Sequence, residues 1–204
     1  ERLASERLWI VDPLDGTKEF LAQNGEFSVM IGLAVRGEPV LGVVYVPATD
    51  VLYSAERGGG AWVERAGRKA RLSCAHVNGK PLRIVGSRSH PDPLLVRMQD
   101  ALGITDVRPS GSVGIKCALI AERERDLYIH PVPYLKEWDT CAPEILLREA
   151  GGAVTDCTGA PLRYNKEDPV QPHGIVACAP GGMARVLGRV TRLYTASLQQ
   201  PARA

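Results

Sequence analysis

An α/β fold of layered sugar-phosphatase type (αβαβα), sheet-rich at its N-terminal end, is predicted from three observations. β-Favouring apolar runs succeed one another through residues 1–82, separated by short polar or glycine turns. After Arg83, strand-like and helix-like runs alternate, as they do in α/β folds. The chain has 204 residues, 45% hydrophobic and 24% charged, enough for one large core or two small ones. The expected division is a sheet-rich half over 1–82, an α/β half over 83–195 and a loose tail over 196–204, with ligands favoured in the cleft between the halves.

The elements follow in order. Leu8 to Val11 carries Ile10 and Val11 and reads as a buried strand that Pro13 ends. Phe27 to Val35 and Pro39 to Val46 read as a hairpin joined by Arg36-Gly37-Glu38. Val51 to Ala55 and Gly60 to Val63 continue the meander around Gly58-Gly59. Arg65 to Arg71 is basic without interleaved aromatics and reads as a solvated turn. Arg83 to Ser87 is a strand. Asp92 and Pro93 cap and start a helix that Gly103 stops, with Leu94, Leu95, Met98 and Leu102 on one face. Ser110 to Glu122 is a glycine-rich loop opening a second helix, and Asp126 to His130 a strand. Trp138 to Gly152 is a helix with Asp139 as its cap, Gly174 to Ala179 a strand, and Gly182 to Arg192 a final helix.

Composition excludes several classes. A formal charge of +2 provides no strong basic field for nucleic acid. No apolar run has membrane-spanning length, and the charges of "ERLASERLWIV" surround too short an apolar segment for a signal peptide. The cysteines, Cys74, Cys117, Cys141, Cys157 and Cys178, are scattered with no C-x-x-C spacing. They read as buried free thiols of a reducing, cytoplasmic compartment.

The string "WIVDPLDGTKEF" runs a strand into Asp12 and Asp15, stiffened between them by Pro13. Two close carboxylates repel unless a cation or a proton lies between them. Mg²⁺ takes oxygen ligands and keeps waters and substrate phosphate oxygens in its shell, and the Leu14 carbonyl is one further oxygen. Gly16 and Thr17 then open a helix whose free N–H groups can hold a phosphate. Two aspartates alone would be read as an Asx turn before a capped helix; the full string D-P-L-D-G-T favours a metal and phosphate site. Asp139 can both cap its helix and face a metal, while Trp138 reads as packing.

"DPLDGTKEF" together with "WDTCAPEILLREAGG" resembles the lithium-sensitive, magnesium-dependent phosphatases of the inositol monophosphatase superfamily, over nearly the whole chain. Lys18-Glu19-Phe20 after Gly16-Thr17, and the string "WDTCAPE", are most similar to its 3'(2'),5'-bisphosphate nucleotidase branch. The resemblance implies that Asp12, Asp15, Asp139 and the Leu14 carbonyl hold two or three Mg²⁺ ions, with Li⁺ as an inhibitor. It implies that Thr17 positions the attacking water and that amides near Gly16 and Thr17 bind phosphate. Lys18, His90, Gly111, Ser112, Lys116 and Asp139 would contact the nucleotide, with Lys116 on the second phosphate or the ribose. For Ser112 and Gly114, backbone approach to a ligand and a plain helix-entry loop are equal readings.

Two departures from the family pattern stand out. His130 lies near a position where several relatives carry arginine. The family's glutamate metal ligand lies further upstream than the chain reaches, and Glu6 is too close to Asp12 to replace it. The chain, which begins at Glu1, is therefore expected to be a truncated version, weaker at one metal position and with apolar sheet surface exposed. The expected activity is removal of the 3'-phosphate of adenosine 3',5'-bisphosphate and of its sulfated relative, a small-molecule partner with no nucleic acid or membrane. Oligomeric state is left open. The alternatives are an inositol monophosphatase or other small sugar-phosphate phosphatase, and a non-catalytic remnant that binds nucleotide or metal.

Overall fold

The computed structural model describes residues 2–89 and 91–199. Six strands form an antiparallel meander: β1 (Arg7–Asp15), β2 (Ser28–Val35), β3 (Glu38–Val46), β4 (Val51–Glu56), β5 (Gly60–Arg65) and β6 (Arg68–Leu72), paired in chain order. Their alternating pattern turns Ile10, Met30, Val44, Tyr53 and Val63 inward. The opposite face leaves Trp9, Val11 and Ile31 exposed. The short helix α1 (Thr17–Leu21) joins β1 to β2.

The second sheet holds β7 (Arg83–Ser87), β8 (Asp106–Ser110), β9 (Leu127–His130), β10 (Ala153–Thr155) and β11 (Ile175–Cys178), in the order β10-β11-β9-β7-β8. β7 runs parallel to β8 and β9, and β11 runs antiparallel to β9 and β10. Every residue of β9 and β11 is buried, as in strands covered on both faces. Helices α3 (Val113–Ala121) and α4 (Glu137–Glu149) fill the space between the sheets. Helices α2 (Pro93–Leu102) and α5 (Gly182–Leu198) pack on each other, with α5 against β11. This is the predicted α/β layering. All five cysteines are buried and free, as read from their spacing. Among the described residues, no helix is long and apolar enough to cross a membrane.

Several elements differ from the sequence reading. β1 does not end at Pro13 but continues to Asp15. Arg65 to Arg71 is not a turn: only the reversal at Ala66-Gly67 is, and β6 follows. β6 is an edge strand, and the charges that disguised it are those that edge strands carry. β8 was hidden for the same reason; it is an edge strand, exposed except at Ser110, and tolerates Pro109. β10 has 3 residues, too few for a periodic signal. α5 continues through Ala196 to Leu198, past the point where the chain is predicted to loosen.

Gly32 and Gly42 face each other across β2 and β3. A Cβ on Gly32 would stand 2.6 Å from Cys141 Sγ, and one on Gly42 would stand 2.5 Å from Ile145 Cγ2 and 2.7 Å from the Ala142 carbonyl oxygen. The two missing side chains are the groove in which α4 rests. Gly42→Ala should therefore cost about 1–3 kcal/mol through overpacking, read as a lower urea midpoint. An unchanged midpoint would mean that α4 can shift without loss.

Candidate active site

In a regular strand, residues three apart point to opposite faces. Asp12 and Asp15 nevertheless both turn inward, at 7% and 8% exposure. The cause is a bulge. Asp12 pairs with Met30 and Asp15 with Ser28, so β1 spends one residue more than β2 over the same step. Pro13 has no N–H to offer a ladder and sits where none is required, in a bulge on an edge strand. The Leu14 N–H turns back to Asp12 Oδ1 at 3.0 Å, closing an Asx turn. The Asx turn and the acidic site are thus one structure.

Each of the other two carboxylates is tied to the start of a helix. Asp15 Oδ2 accepts the Ser112 hydroxyl at 2.6 Å and the Gly114 N–H at 3.2 Å. Ser112 caps α3 by accepting the Ile115 N–H at 3.1 Å, and it receives the Ser28 hydroxyl at 2.8 Å. Its single proton and both lone pairs are thereby used, which holds it at φ 48, a conformation strained for a side-chain-bearing residue. Gly114 is needed for packing: a Cβ there would stand 2.7 Å from Val44 Cγ1 and 2.8 Å from Met30 Sδ. Asp139 is not the cap of α4. Lys136 is, and Asp139 lies one turn inside, where Oδ2 accepts the Lys136 N–H at 2.6 Å. Both helix N-termini favour negative charge at this place.

One oxygen from each of Asp12, Asp15 and Asp139 lies within 4.8 Å of the others. Burial raises the Asp12 carboxyl above its ordinary range, and the Asp15 charge adds to this while the Leu14 N–H opposes it. Burial pushes Asp139 up to about 7, opposed by the Lys136 N–H and reinforced by the Asp15 and Asp12 charges. Crowded, part-desolvated carboxylates with only oxygen donors fit a hard divalent cation, which removes a repulsion otherwise relieved by protonation. The Leu14 carbonyl accepts the Thr17 hydroxyl at 3.3 Å and has a second lone pair.

A cavity of about 350 Å³ opens over this cluster, a ligand-sized space. Asp15, Gly16, Thr17, Lys18, Gly111, Ser112, Lys116 and Asp139 all line it, while Asp12 lies in the acidic cluster beside it. His90 lies outside the described residues. Lys116 is buried, donates to the Ser110 and Gly111 carbonyls at 3.4 and 3.2 Å, and stands 5.3 Å from the Tyr128 ring centre. Burial lowers its pKa, while Asp15 and nearby glutamates oppose that shift. His130 also lines the cavity, as do Ser87, Glu19, Tyr128, Tyr134 and Leu135. Of these, Glu19 stands inside the motif but has no role in the sequence reading; it is buried and accepts the Ser89 hydroxyl. Ser28, also missed, gave no signal, since its role depends on contact with Ser112. Trp138 does not pack as expected: it is 39% exposed, on a shallow surface shared with Trp9 and Val11.

The profile of the inositol monophosphatase family matches residues 1–192. The 3'(2'),5'-bisphosphate nucleotidase CysQ of Escherichia coli K12 is 41% identical over 163 residues, which are 80% of this chain and 64% of that protein. The chain thus spans under two thirds of that relative's length. An inositol-1-monophosphatase of Rhizobium meliloti is 40% identical over 156 residues, 74% of this chain and 57% of that one. The crystal structure of CysQ from Bacteroides thetaiotaomicron superposes with a TM-score of 0.76 at 38% identity, covering 87% of this chain and 72% of that one. The layered α/β arrangement is the one shared with that structure.

In metal-free protein, Asp139 keeps its proton to about 7 when folded but ionises near 4 when unfolded. The unfolded state therefore loses its proton first, and stability falls as pH rises from about 4 to 7, then levels. Asp139→Asn should melt higher than the wild type in EDTA at pH 7.5, by about 2–4 °C for each kcal/mol relieved, with the gap closing towards pH 4. Added Mg²⁺ should raise the wild-type melting temperature more than the variant's. Equal shifts would separate Asp139 from any metal.

Proposed function

The chain belongs to the inositol monophosphatase family, and from that premise we propose that it is a Mg²⁺-dependent phosphatase acting on the 3'-phosphate of adenosine 3',5'-bisphosphate. The sulfated relative, adenosine 3'-phosphate 5'-phosphosulfate, carries the same 3'-phosphate and is proposed as a second substrate. The observation that carries the reading is the convergence of Asp12, Asp15 and Asp139 beside a cavity that also holds Lys116 and two helix N-termini. The nucleotide is preferred because the similarity to bisphosphate nucleotidases covers four fifths of the chain. Buried free thiols accord with a cytoplasmic location.

Asp12, Asp15, Asp139 and the Leu14 carbonyl would hold two or three magnesium ions. When bound, the metal offsets phosphate charge and makes a bound water acidic enough to act as a nucleophile near neutral pH. The chain's own groups supply orientation. The Thr17 hydroxyl, which donates to the Leu14 carbonyl at 3.3 Å, would accept from and align the attacking water. The Gly16 and Thr17 amides would orient the phosphate, and the Lys116 ammonium would offer charge from a site that two carbonyls keep fixed. Water oxygen bonds to phosphorus, the bond to the ribose 3'-oxygen breaks, and that oxygen leaves with a proton. The products are adenosine 5'-phosphate and inorganic phosphate.

A second reading, an inositol monophosphatase, is favoured by the 40% identity to the Rhizobium enzyme. Phosphate release should be measured with adenosine 3',5'-bisphosphate and with inositol 1-phosphate, each with Mg²⁺, with EDTA, and with Mg²⁺ plus Li⁺. The nucleotide should be turned over faster, only with Mg²⁺, and less with Li⁺ present. Asp15→Asn should lose orders of magnitude in kcat with the fold retained. Faster release from inositol 1-phosphate would establish the second reading, and tight nucleotide binding without release would make the chain a binding protein.

A further inference from the structure

Most large side chains that line the cavity are buried beneath it. Tyr128 is 1% exposed and its ring faces the Lys116 ammonium. Leu135 and His130 are each 7% exposed. Tyr134 is different. It lines the same cavity yet is 72% exposed, and among the described residues its hydroxyl makes no hydrogen bond and its ring meets no other aromatic ring. A single exposed aromatic is unremarkable on an open surface. Here it stands at the mouth of the cavity over the acidic cluster, in a connection that is held at both ends.

That connection runs from β9 to α4. Pro131 and Pro133 restrict it just before Tyr134. Just after it, Leu135 is buried and its carbonyl accepts the Gln171 N–H at 2.8 Å, and Lys136 bridges to Val170. The ring is thus presented by a backbone with little freedom left to lose on binding. Tyr134 and Asp139 are five positions apart, so even a fully extended chain would keep their α-carbons within about 18 Å of each other. Both residues line one space of about 350 Å³.

We infer that Tyr134 is the platform on which the purine base of the substrate stacks, and so the residue that distinguishes a nucleotide from a base-free phosphate ester. The inference rests on the nucleotidase reading above. Every base has a π-face, and stacking on an aromatic side chain is a recurrent means of holding one. The acidic end of the cavity takes the phosphate; the ring at its mouth takes the only flat, apolar part of the molecule.

The test compares the wild type, Tyr134→Ala and Tyr134→Phe, each with Mg²⁺, on adenosine 3',5'-bisphosphate and on the base-free ribose 3,5-bisphosphate. Tyr134→Ala should raise KM for the nucleotide about fivefold or more, with kcat unchanged, because stacking holds ground and transition states alike. Tyr134→Phe should behave as the wild type, and neither variant should change KM for the base-free ester. Equal KM changes for both substrates, or none for the nucleotide, would overturn the inference while leaving the nucleotidase reading intact. If the wild type releases no phosphate from the nucleotide, that reading fails by itself, and calorimetric binding of adenosine 3',5'-bisphosphate then decides. Weaker binding by Tyr134→Ala than by the wild type would uphold the platform; equal binding, or no binding by either, would overturn it.

Discussion

The seat of α4 on the Gly32–Gly42 pair is the contact on which the site depends. The helix brings Asp139 down towards a strand that already carries two buried carboxylates, against the repulsion of their charges. Packing supplies the force. Cys141, Ala142 and Ile145 lie where two side chains of β2 and β3 would have been, and the buried length of α4, from Thr140 to Leu147, is held between the sheets. A close-packed interior transmits such a constraint without slack. The acidic residues sit at the ends of elements that are anchored elsewhere, which is how the fold keeps like charges together.

The same economy governs Asp15 and Ser112. One hydroxyl caps α3, fixes the Asp15 carboxylate of the acidic cluster and takes a hydrogen bond from β2. Strain in the Ser112 backbone is offset because all its hydrogen-bonding capacity is met there. Gly114, the second residue of the helix, lets α3 close onto Met30 and Val44. The first sheet, α3 and α4 are therefore coupled through the acidic cluster, and the cavity over it is bounded by both helix starts.

Much of this arrangement was legible along the chain. The capped helix from Asp92 to Gly103, the hairpin around Gly37 and the acidic strings were all visible, because each has its own local chemistry. Edge strands β6 and β8 were not, because the charges and the proline that keep an edge from pairing also erase the alternation by which strands are read. Asp139 lies near the start of α4, as its sequence implies, but three residues inside the cap. A carboxylate three residues into a helix can accept the cap's own N–H as well as a capping residue accepts from the helix, so composition does not separate the two.

By itself, the sequence determined the fold class, the family and the identities of the acidic residues, since these reside in residue types and short spacings. That Asp12 and Asp15 share a face is settled in three dimensions. That depends on a bulge defined by pairing to Met30 and Ser28, and register is a property of two strands. The fold also decided that Gly114 serves packing, that Lys116 is buried with two carbonyls for company, and that Tyr134 stands open at the cavity mouth. Burial and neighbours are created by distant segments meeting, and no single stretch of chain contains them.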